Sequence, residues 1–252
     1  MGLNDRFRKE WKLAGYPRGN GSAAVVPPPS KGFKRLYYLT TAEHAVSNVV
    51  FGRVKISRFS ELNDPFELIG TNFGNKTTRD AVRTYKADLD KECGLICFSE
   101  DWTEPVIWSH YAAKHGGIAL GFDVDQSIAQ QVSYKTSRLK ATLPKGAAKI
   151  TPPIRNILIC TKFESWKYER EWRILTPLED GEKEGSLYFL PFSKTLRLVE
   201  MILGPACNLN LLKLRKLINE HHRDVTTFKA RLAYRSFRII AQGNTVPTIQ
   251  ER

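Results

Sequence analysis

The sequence lacks long apolar runs and contains little cysteine. No stretch reaches the roughly 18 uncharged apolar residues that a membrane-spanning helix requires, so we expect no membrane partner. The basic N-terminal segment is not followed by the apolar core of a secretory signal, which predicts a cytoplasmic protein. Four cysteines in 252 residues are too few for a disulfide framework and predict free thiols in a reducing compartment.

The sequence also lacks the familiar signatures of catalysis and cofactor binding. It contains no GxGxxG after a strand pattern, no phosphate-binding lysine loop, no HExxH and no GxSxG. Cys93 and Cys97 do not form a CxxC pair, and His110 and His115 lack ligand spacing. We therefore expect no metal site.

Basic residues are abundant and unevenly distributed. The chain has 39 Lys and Arg against 26 Asp and Glu, a formal net charge of +13. Segment 133–162 carries seven basic residues and no acid, and segment 213–238 carries eight against two acids. Together they predict a phosphate-binding face for nucleic acid. A surface charged for solubility, or one that binds an acidic protein, would have the same composition.

The order of patterns predicts one domain at 33–252 behind a flexible tail at 1–32, which is rich in Gly and Pro. Thr41, Pro105 and Asn208 are typical helix-start residues. Strand patterns outnumber helices and no βαβ unit repeats, so we predict a mixed α+β fold with mostly antiparallel sheets and a few flanking helices. The predicted strands lie at 33–40, 53–59, 94–99, 118–122, 156–163, 171–175 and 198–203, with one or two more within 228–241.

Two clusters in the first half of the domain are candidate site elements. Tyr37, Tyr38, Thr40 and Thr41 end a strand at a helix start, where polar ligands collect; a buried tyrosine pair with a helix cap is the alternative. The second cluster is Asn63-Asp64-Pro65-Phe66-Glu67. Asn and Asp before Pro are typical of a turn, which predicts a structural role for them, but turn chemistry does not explain Glu67.

Two further clusters lie in the second half. Trp108 and Tyr111 are three residues apart on a predicted helix, a spacing more typical of core than of a ligand platform. On a strand, Glu169, Glu171 and Arg173 would share one face. Such a charge density predicts either a salt-bridged ladder or the rim of an active site.

In this order the clusters resemble the bacterial family known as domain of unknown function 2971. The resemblance extends from about residue 33 to 240 and includes Asn-Asp-Pro-Phe-Glu, Trp-Ser-His-Tyr and Lys-x-x-x-Trp…Glu-x-Glu-x-Arg. The family name carries no activity.

A more distant resemblance is to ADP-ribosyltransferase-fold toxins, which implies an enzyme that uses NAD as substrate without a metal. The implied catalytic residue is Glu171, with Arg173 or the basic face meeting the pyrophosphate. Such an enzyme would modify nucleic acid or a nucleic-acid-associated protein, as a bacterial toxin or phage-defence effector with an antitoxin or defence-system partner. The chain departs from the pattern because the implied first-strand position is held by Tyr37 or Tyr38 and not by the His or Arg that many such enzymes use there. The implied cofactor-binding residues are Tyr37 or Tyr38, Thr40, Thr41, Tyr111 and Arg173.

Two other functions fit the same residues. Asp64, Glu67, Glu169 and Glu171 could surround Mg²⁺ in a metal-dependent nuclease, although no Lys lies at a nuclease-like offset from them. The charged cluster could instead be structural in a non-catalytic nucleic-acid-binding regulatory module.

Overall fold

A computed structural model describes residues 26–68, 76–139 and 152–246. Most of the predicted tail and part of the first basic segment lie outside these residues. The described chain begins its regular structure at Phe33, as the aromatic-rich pattern predicts. Its strands are β1 (Phe33–Thr40), β2 (Arg53–Ile56), β3 (Cys93–Ser99), β4 (Ile118–Asp125), β5 (Gln130–Gln131), β6 (Ser133–Lys135), β7 (Thr161–Phe163), β8 (Glu171–Pro177), β9 (Glu182–Glu184), β10 (Leu187–Pro191), β11 (Leu196–Leu203), β12 (Thr226–Leu232) and β13 (Ile239–Ala241).

Helices start where the sequence supplies caps. The Thr41 side chain accepts a hydrogen bond from the amide of His44, and Pro105 occupies the first turn of its helix, both as predicted. None of the helices in the described segments is long and apolar enough to cross a membrane. The helices are α1 (Ala42–Val50), α2 (Lys76–Glu92), α3 (Pro105–Tyr111), α4 (Pro152–Ile159) and α5 (Leu211–His221).

The main sheet has the order β13-β12-β11-β4-β1-β3-β8-β5. β11 and β12 run parallel and are joined by α5, and the other described pairs in this sheet are antiparallel. β2, β10 and β9 form a smaller antiparallel sheet. The predicted mixed α+β fold is confirmed.

Apolar side chains cover both faces of the main sheet. On one face Leu36, Phe122 and Ile174 belong to a cluster that α1, α5 and the smaller sheet complete. The other face carries two separate clusters. One cluster surrounds Trp108 of α3. The other contains Leu89 of α2 together with residues of α4. The space between these two clusters lies over β1, β3 and β8.

β1 and β3 are neighbours in the sheet but pair at a single position, Tyr37 opposite Ser99. β3 then pairs along its whole length with β8, whereas β1 pairs along its whole length with β4. Beyond Tyr37 the two strands diverge, so the sheet opens between them.

Two predicted elements differ from the structure. Segment 156–163 was expected to be one strand. Its first half is the end of helix α4, and only its last three residues form a strand, β7. The paired prolines of α4 start the helix, and Ile154 and Leu158 are four residues apart, as a helical face requires. The cap of α5 is Asn210 and not Asn208, since the Asn210 side chain accepts from the amide of Lys213.

Glu200 is a buried acid on β11, placed beside a bulge between Leu198 and Glu200. Its Oε2 has no hydrogen-bond partner among the described residues, and Arg35 Nη1 lies 3.9 Å away. Burial raises the pKa of Glu200 to about 7, against the weaker effect of Arg35.

We expect Glu200→Gln to change how stability depends on pH. A carboxyl whose pKa is raised on folding stabilises the native state fully below its unfolded pKa, and this stabilisation is lost as pH rises through the folded value of about 7. The wild type should therefore lose up to about 3 kcal/mol of unfolding free energy, relative to the variant, as the pH is raised from acid to neutral. Urea unfolding across this pH range measures the difference. Exposed Glu220→Gln is the control, and parallel curves for Glu200→Gln and wild type would contradict the expectation.

Candidate active site

A cavity of about 240 Å³ lies where β1 and β3 diverge. Tyr37, Tyr38 and Ser99 line it at the split, and α3 contributes Ile107 and Tyr111. Its charged wall is formed by Glu67, Lys162, Glu169, Glu171 and Arg173, together with Glu61 near Asn63.

Arg173 is the most heavily bonded side chain of this wall. It donates to both oxygens of Glu67 at 2.5 and 3.0 Å and to both oxygens of Glu171 at 2.7 and 3.2 Å. Its remaining N–H binds the carbonyl of Ile159. All five guanidinium donors are thus used within the protein, and the side chain is 2 % exposed. Arg173 therefore has a structural role and no free donor for a pyrophosphate.

Lys162 joins the remaining carboxylates. Its Nζ lies 2.6 Å from Glu169 Oε2 and 2.9 Å from Glu171 Oε2. The other oxygen of Glu169 accepts a short hydrogen bond from the Tyr111 hydroxyl, which in turn accepts from the Asn63 amide at 2.9 Å. A continuous chain of polar contacts therefore links Glu67 to Asn63 through five buried or half-buried side chains.

The two carboxylates beside Lys162 have different acidities. Burial would raise the pKa of Glu171, but Arg173 and Lys162 outweigh it and lower that pKa to about 2. Burial raises the pKa of Glu169, and the charge of Glu171 adds to the rise while Lys162 opposes it. Two neighbouring carboxyls with separated pKa values are the usual arrangement for one fixed charge and one proton acceptor.

The local backbone explains how Glu169 reaches the cavity. It ends a 3-10 helix over Glu164–Glu169, and Arg170 follows in the left-handed region at φ 45°. β8 begins only at Glu171, whose amide donates to the Tyr134 hydroxyl at 2.8 Å. The prediction that these charged residues share one strand face is therefore correct for Glu171 and Arg173. It is wrong for Glu169, which arrives from the preceding turn.

The structure brings together most of the predicted site residues but excludes four. Thr40 and Thr41 lie outside the cavity, because Thr41 caps α1. Trp108 is a core residue whose Nε1 donates to the carbonyl of Trp102 at 2.6 Å. Asp64 has the predicted turn role and accepts from the amide of Phe66 at 2.9 Å. The predicted site residues that do line the cavity are Tyr37, Tyr38, Asn63, Glu67, Tyr111, Glu169, Glu171 and Arg173.

Lys162 is a site residue that the sequence analysis counted only as part of the basic segment. Its side chain is 4 % exposed, so it contributes nothing to a basic surface. Its one sequence signal is the Lys-x-x-x-Trp spacing, which the structure explains because Lys162 Nζ lies 4.9 Å from the centre of the Trp166 ring.

A second cavity of about 360 Å³ adjoins the first, and Lys162 lines both. Unlike the first, it is lined by the cations Lys135 and Arg138 and by no carboxylate among the described residues. The Arg138 guanidinium lies 5.3 Å from the centre of the Phe66 ring. This second cavity, called the basic cavity below, is suited to an anionic group.

No group of three or more His, Cys, Asp or Glu side chains within the described segments is placed to hold a metal ion. The charges between the carboxylates of the first cavity are those of Lys162 and Arg173. Cys97 also lines this cavity, and burial together with Glu171 raises the pKa of its thiol well above the usual value.

Comparison with known proteins gives one family match. The family described as Protein of unknown function (DUF2971) matches residues 107–174, about a quarter of the chain. This segment runs from α3 into β8 and contains Tyr111, Lys162, Glu169, Glu171 and Arg173. The match supports the predicted resemblance over these residues. No curated protein and no solved structure matches the chain, and the resemblance to ADP-ribosyltransferases stays a prediction.

We expect Arg173→Leu to destabilise the protein strongly. The substitution leaves Glu67 without its cation in a buried site, and breaking a buried ion pair in this way costs about 3–5 kcal/mol. Arg197→Leu is the control on the same sheet, because Arg197 is 45 % exposed and its nearest carboxylate oxygen is 3.8 Å away, so about 1 kcal/mol or less is expected. Denaturant unfolding measures both. Equal losses would show that burial of the ion pair does not govern stability here.

Proposed function

We propose that the cavity at the sheet split cleaves the nicotinamide–ribose bond of NAD and transfers ADP-ribose to an acceptor. One observation carries the proposal: Glu169 and Glu171 lie side by side in a tyrosine-lined cavity with opposite pKa shifts. The distant resemblance to ADP-ribosyltransferases points to the same chemistry.

The charge of the cavity suits a cationic reactant. Glu61 is paired with Lys55 outside the cavity, at 2.9 Å. The other three carboxylates, Glu67, Glu169 and Glu171, face the two cations Lys162 and Arg173, which leaves one net negative charge when all five are ionised. The nicotinamide ring of NAD is cationic, and aromatic faces such as those of Tyr37 and Tyr111 attract cations. A transition state with oxocarbenium character is stabilised by fixed negative charge nearby.

The two carboxylates then have separate tasks. Glu171, held ionised by Arg173 and Lys162, supplies fixed charge as the C–N bond breaks and its electron pair leaves with neutral nicotinamide. An acceptor oxygen or nitrogen attacks the anomeric carbon, and its proton passes to the Glu169 carboxylate. Tyr111 and Lys162 orient Glu169 for that transfer. Proton transfer is thus assigned to Glu169, while Glu171, the residue implied by the resemblance, keeps an electrostatic role.

The sizes of the two cavities indicate which part of the substrate each cavity holds. Pockets for drug-sized ligands measure roughly 300–1,000 Å³, so 240 Å³ accommodates the nicotinamide riboside part and not the whole dinucleotide. The basic cavity adjoins it at Lys162 and offers Lys135 and Arg138. We assign the pyrophosphate and adenosine to the basic cavity, in place of the Arg173 contact that the resemblance implied.

We expect Glu169→Gln to slow NAD turnover by about a hundredfold or more, the usual contribution of a general base. Because burial raises the pKa of Glu169, wild-type kcat/KM should rise as pH increases through that elevated pKa, and the variant should lose this dependence. Nicotinamide release across a pH series measures both effects.

Glu164→Gln is the matched control, since Glu164 is exposed on the same 3-10 helix. Glu171→Gln separates the two carboxylates: loss of its charge breaks the buried ion pairs to Arg173 and Lys162, so a lower melting temperature should accompany its lower rate. A stable Glu169→Gln protein with full turnover would refute the assignment of Glu169.

We expect Arg138→Ala to raise KM for NAD about tenfold with little change in kcat, because it removes one charge-assisted contact to a non-reacting part of the substrate. Steady-state kinetics measure the split. Arg83→Ala, in an exposed position on α2, is the control. A fall in kcat without a rise in KM would contradict pyrophosphate binding in the basic cavity.

A further inference from the structure

The hairpin that joins β12 and β13 carries exposed aromatic rings. Tyr234 is 90 % exposed and Phe237 is 97 % exposed, and Leu232 beside them is 60 % exposed. Rings this exposed contribute nothing to the core, and their burial by a partner would be favourable. Residues 231–238 are called the arginine–aromatic hairpin below.

The charges of this hairpin are all of one sign. Arg231, Arg235 and Arg238 alternate with the rings, and residues 225–250 contain no acid. The Arg231 guanidinium lies 4.6 Å from the centre of the Tyr234 ring, and Arg235 is exposed. Rings that stack on bases, interleaved with cations that meet phosphates, are the features by which proteins hold single-stranded nucleic acid. A membrane or an apolar protein surface would not require this regular alternation.

The base of the hairpin is anchored close to the cavity. Arg238 Nη1 lies 2.9 Å from Asp101 Oδ2, and the Ile239 amide donates to the carbonyl of Thr103 at 2.9 Å. The Ser99 hydroxyl, which lines the cavity, donates to the carbonyl of Glu169 at 2.7 Å and accepts from the amide of Asp101 at 3.1 Å. One short segment after β3 therefore supports the hairpin on one side and the candidate proton acceptor on the other.

We propose that the arginine–aromatic hairpin binds single-stranded nucleic acid by stacking unpaired bases on Tyr234 and Phe237. Nucleic-acid binding by the hairpin does not depend on the reaction assigned to the cavity. The further role, in which the hairpin presents the acceptor for ADP-ribose, rests on the proposed function. The acceptor is then an unpaired nucleotide, because a base that stacks on these rings cannot remain in a duplex.

Binding is tested on the full chain, without NAD, by the fluorescence anisotropy of a labelled oligothymidine and of its duplex with oligoadenine. Stacking is worth about 1–3 kcal/mol per base, so Tyr234→Ala with Phe237→Ala should weaken single-strand binding at least about tenfold. Arg235→Ala should reduce the slope of log K against log salt by about 0.7, the value for one phosphate contact with a single strand. Both rings are exposed, so the double variant should fold; circular dichroism checks this.

Phe51→Ala is the matched control. Phe51 is also exposed, at 64 %, and also lies against a guanidinium, that of Arg53 at 4.9 Å. Arg53, however, is paired with Glu182 and Glu184, so this site lacks free positive charge and its removal should leave binding unchanged.

Loss of binding in the double variant, with Phe51→Ala unaffected and the duplex bound more weakly, supports the proposal. Undiminished binding by the double variant overturns it, as does equal binding of duplex and single strand. Ring-dependent binding to anionic lipid vesicles, without binding of the oligonucleotide, overturns it in favour of a membrane surface. Oligonucleotide binding by a protein that does not turn over NAD leaves this inference standing and refutes the proposed function alone.

Discussion

The site depends on a buried chain of alternating charges: Glu67, Arg173, Glu171, Lys162 and Glu169. Each charge would be costly to remove from water alone, and each is compensated by a neighbour within hydrogen-bond distance. The members come from different parts of the chain, since Glu67 lies 106 residues before Arg173. The chain of charges can therefore form only when the 3-10 turn, β7 and β8 are all in place. It holds the polar wall of the cavity in one geometry before any ligand arrives, which is what electrostatic preorganisation requires.

The cavity itself exists because the sheet is incomplete at one junction. β1 pairs fully with β4 and β3 pairs fully with β8, but the backbones of β1 and β3, as the structure describes them, pair only at Tyr37 and Ser99. The apolar clusters on the cavity side are likewise separate, one around α3 and the other between α2 and α4. A gap between two well-packed units leaves room for polar side chains without interrupting either core.

Negative and positive charges lie in different parts of the molecule, and this separation links the proposed reaction to the proposed binding of nucleic acid. The interior of the first cavity is negative, whereas the basic cavity and the arginine–aromatic hairpin are positive. A net charge of +13 therefore says little about the reactive centre, where the carboxylates outnumber the cations. Such a division suits a reaction in which a cationic group is cleaved inside while phosphate groups are held outside.

The sequence by itself determined the fold class, the start of regular structure at Phe33, and the helix starts at Thr41 and Pro105, because these depend on local backbone chemistry. It did not predict α2, since only Val82 and Leu89 of that helix are buried apolar residues and the stripe they form is weak. Only the tertiary structure decided that Lys162 lies between Glu169 and Glu171, and that Tyr111, 58 residues before Glu169, binds it. Contacts between residues so far apart leave no periodic trace in the chain, because they arise from how the sheet and its flanking helices pack.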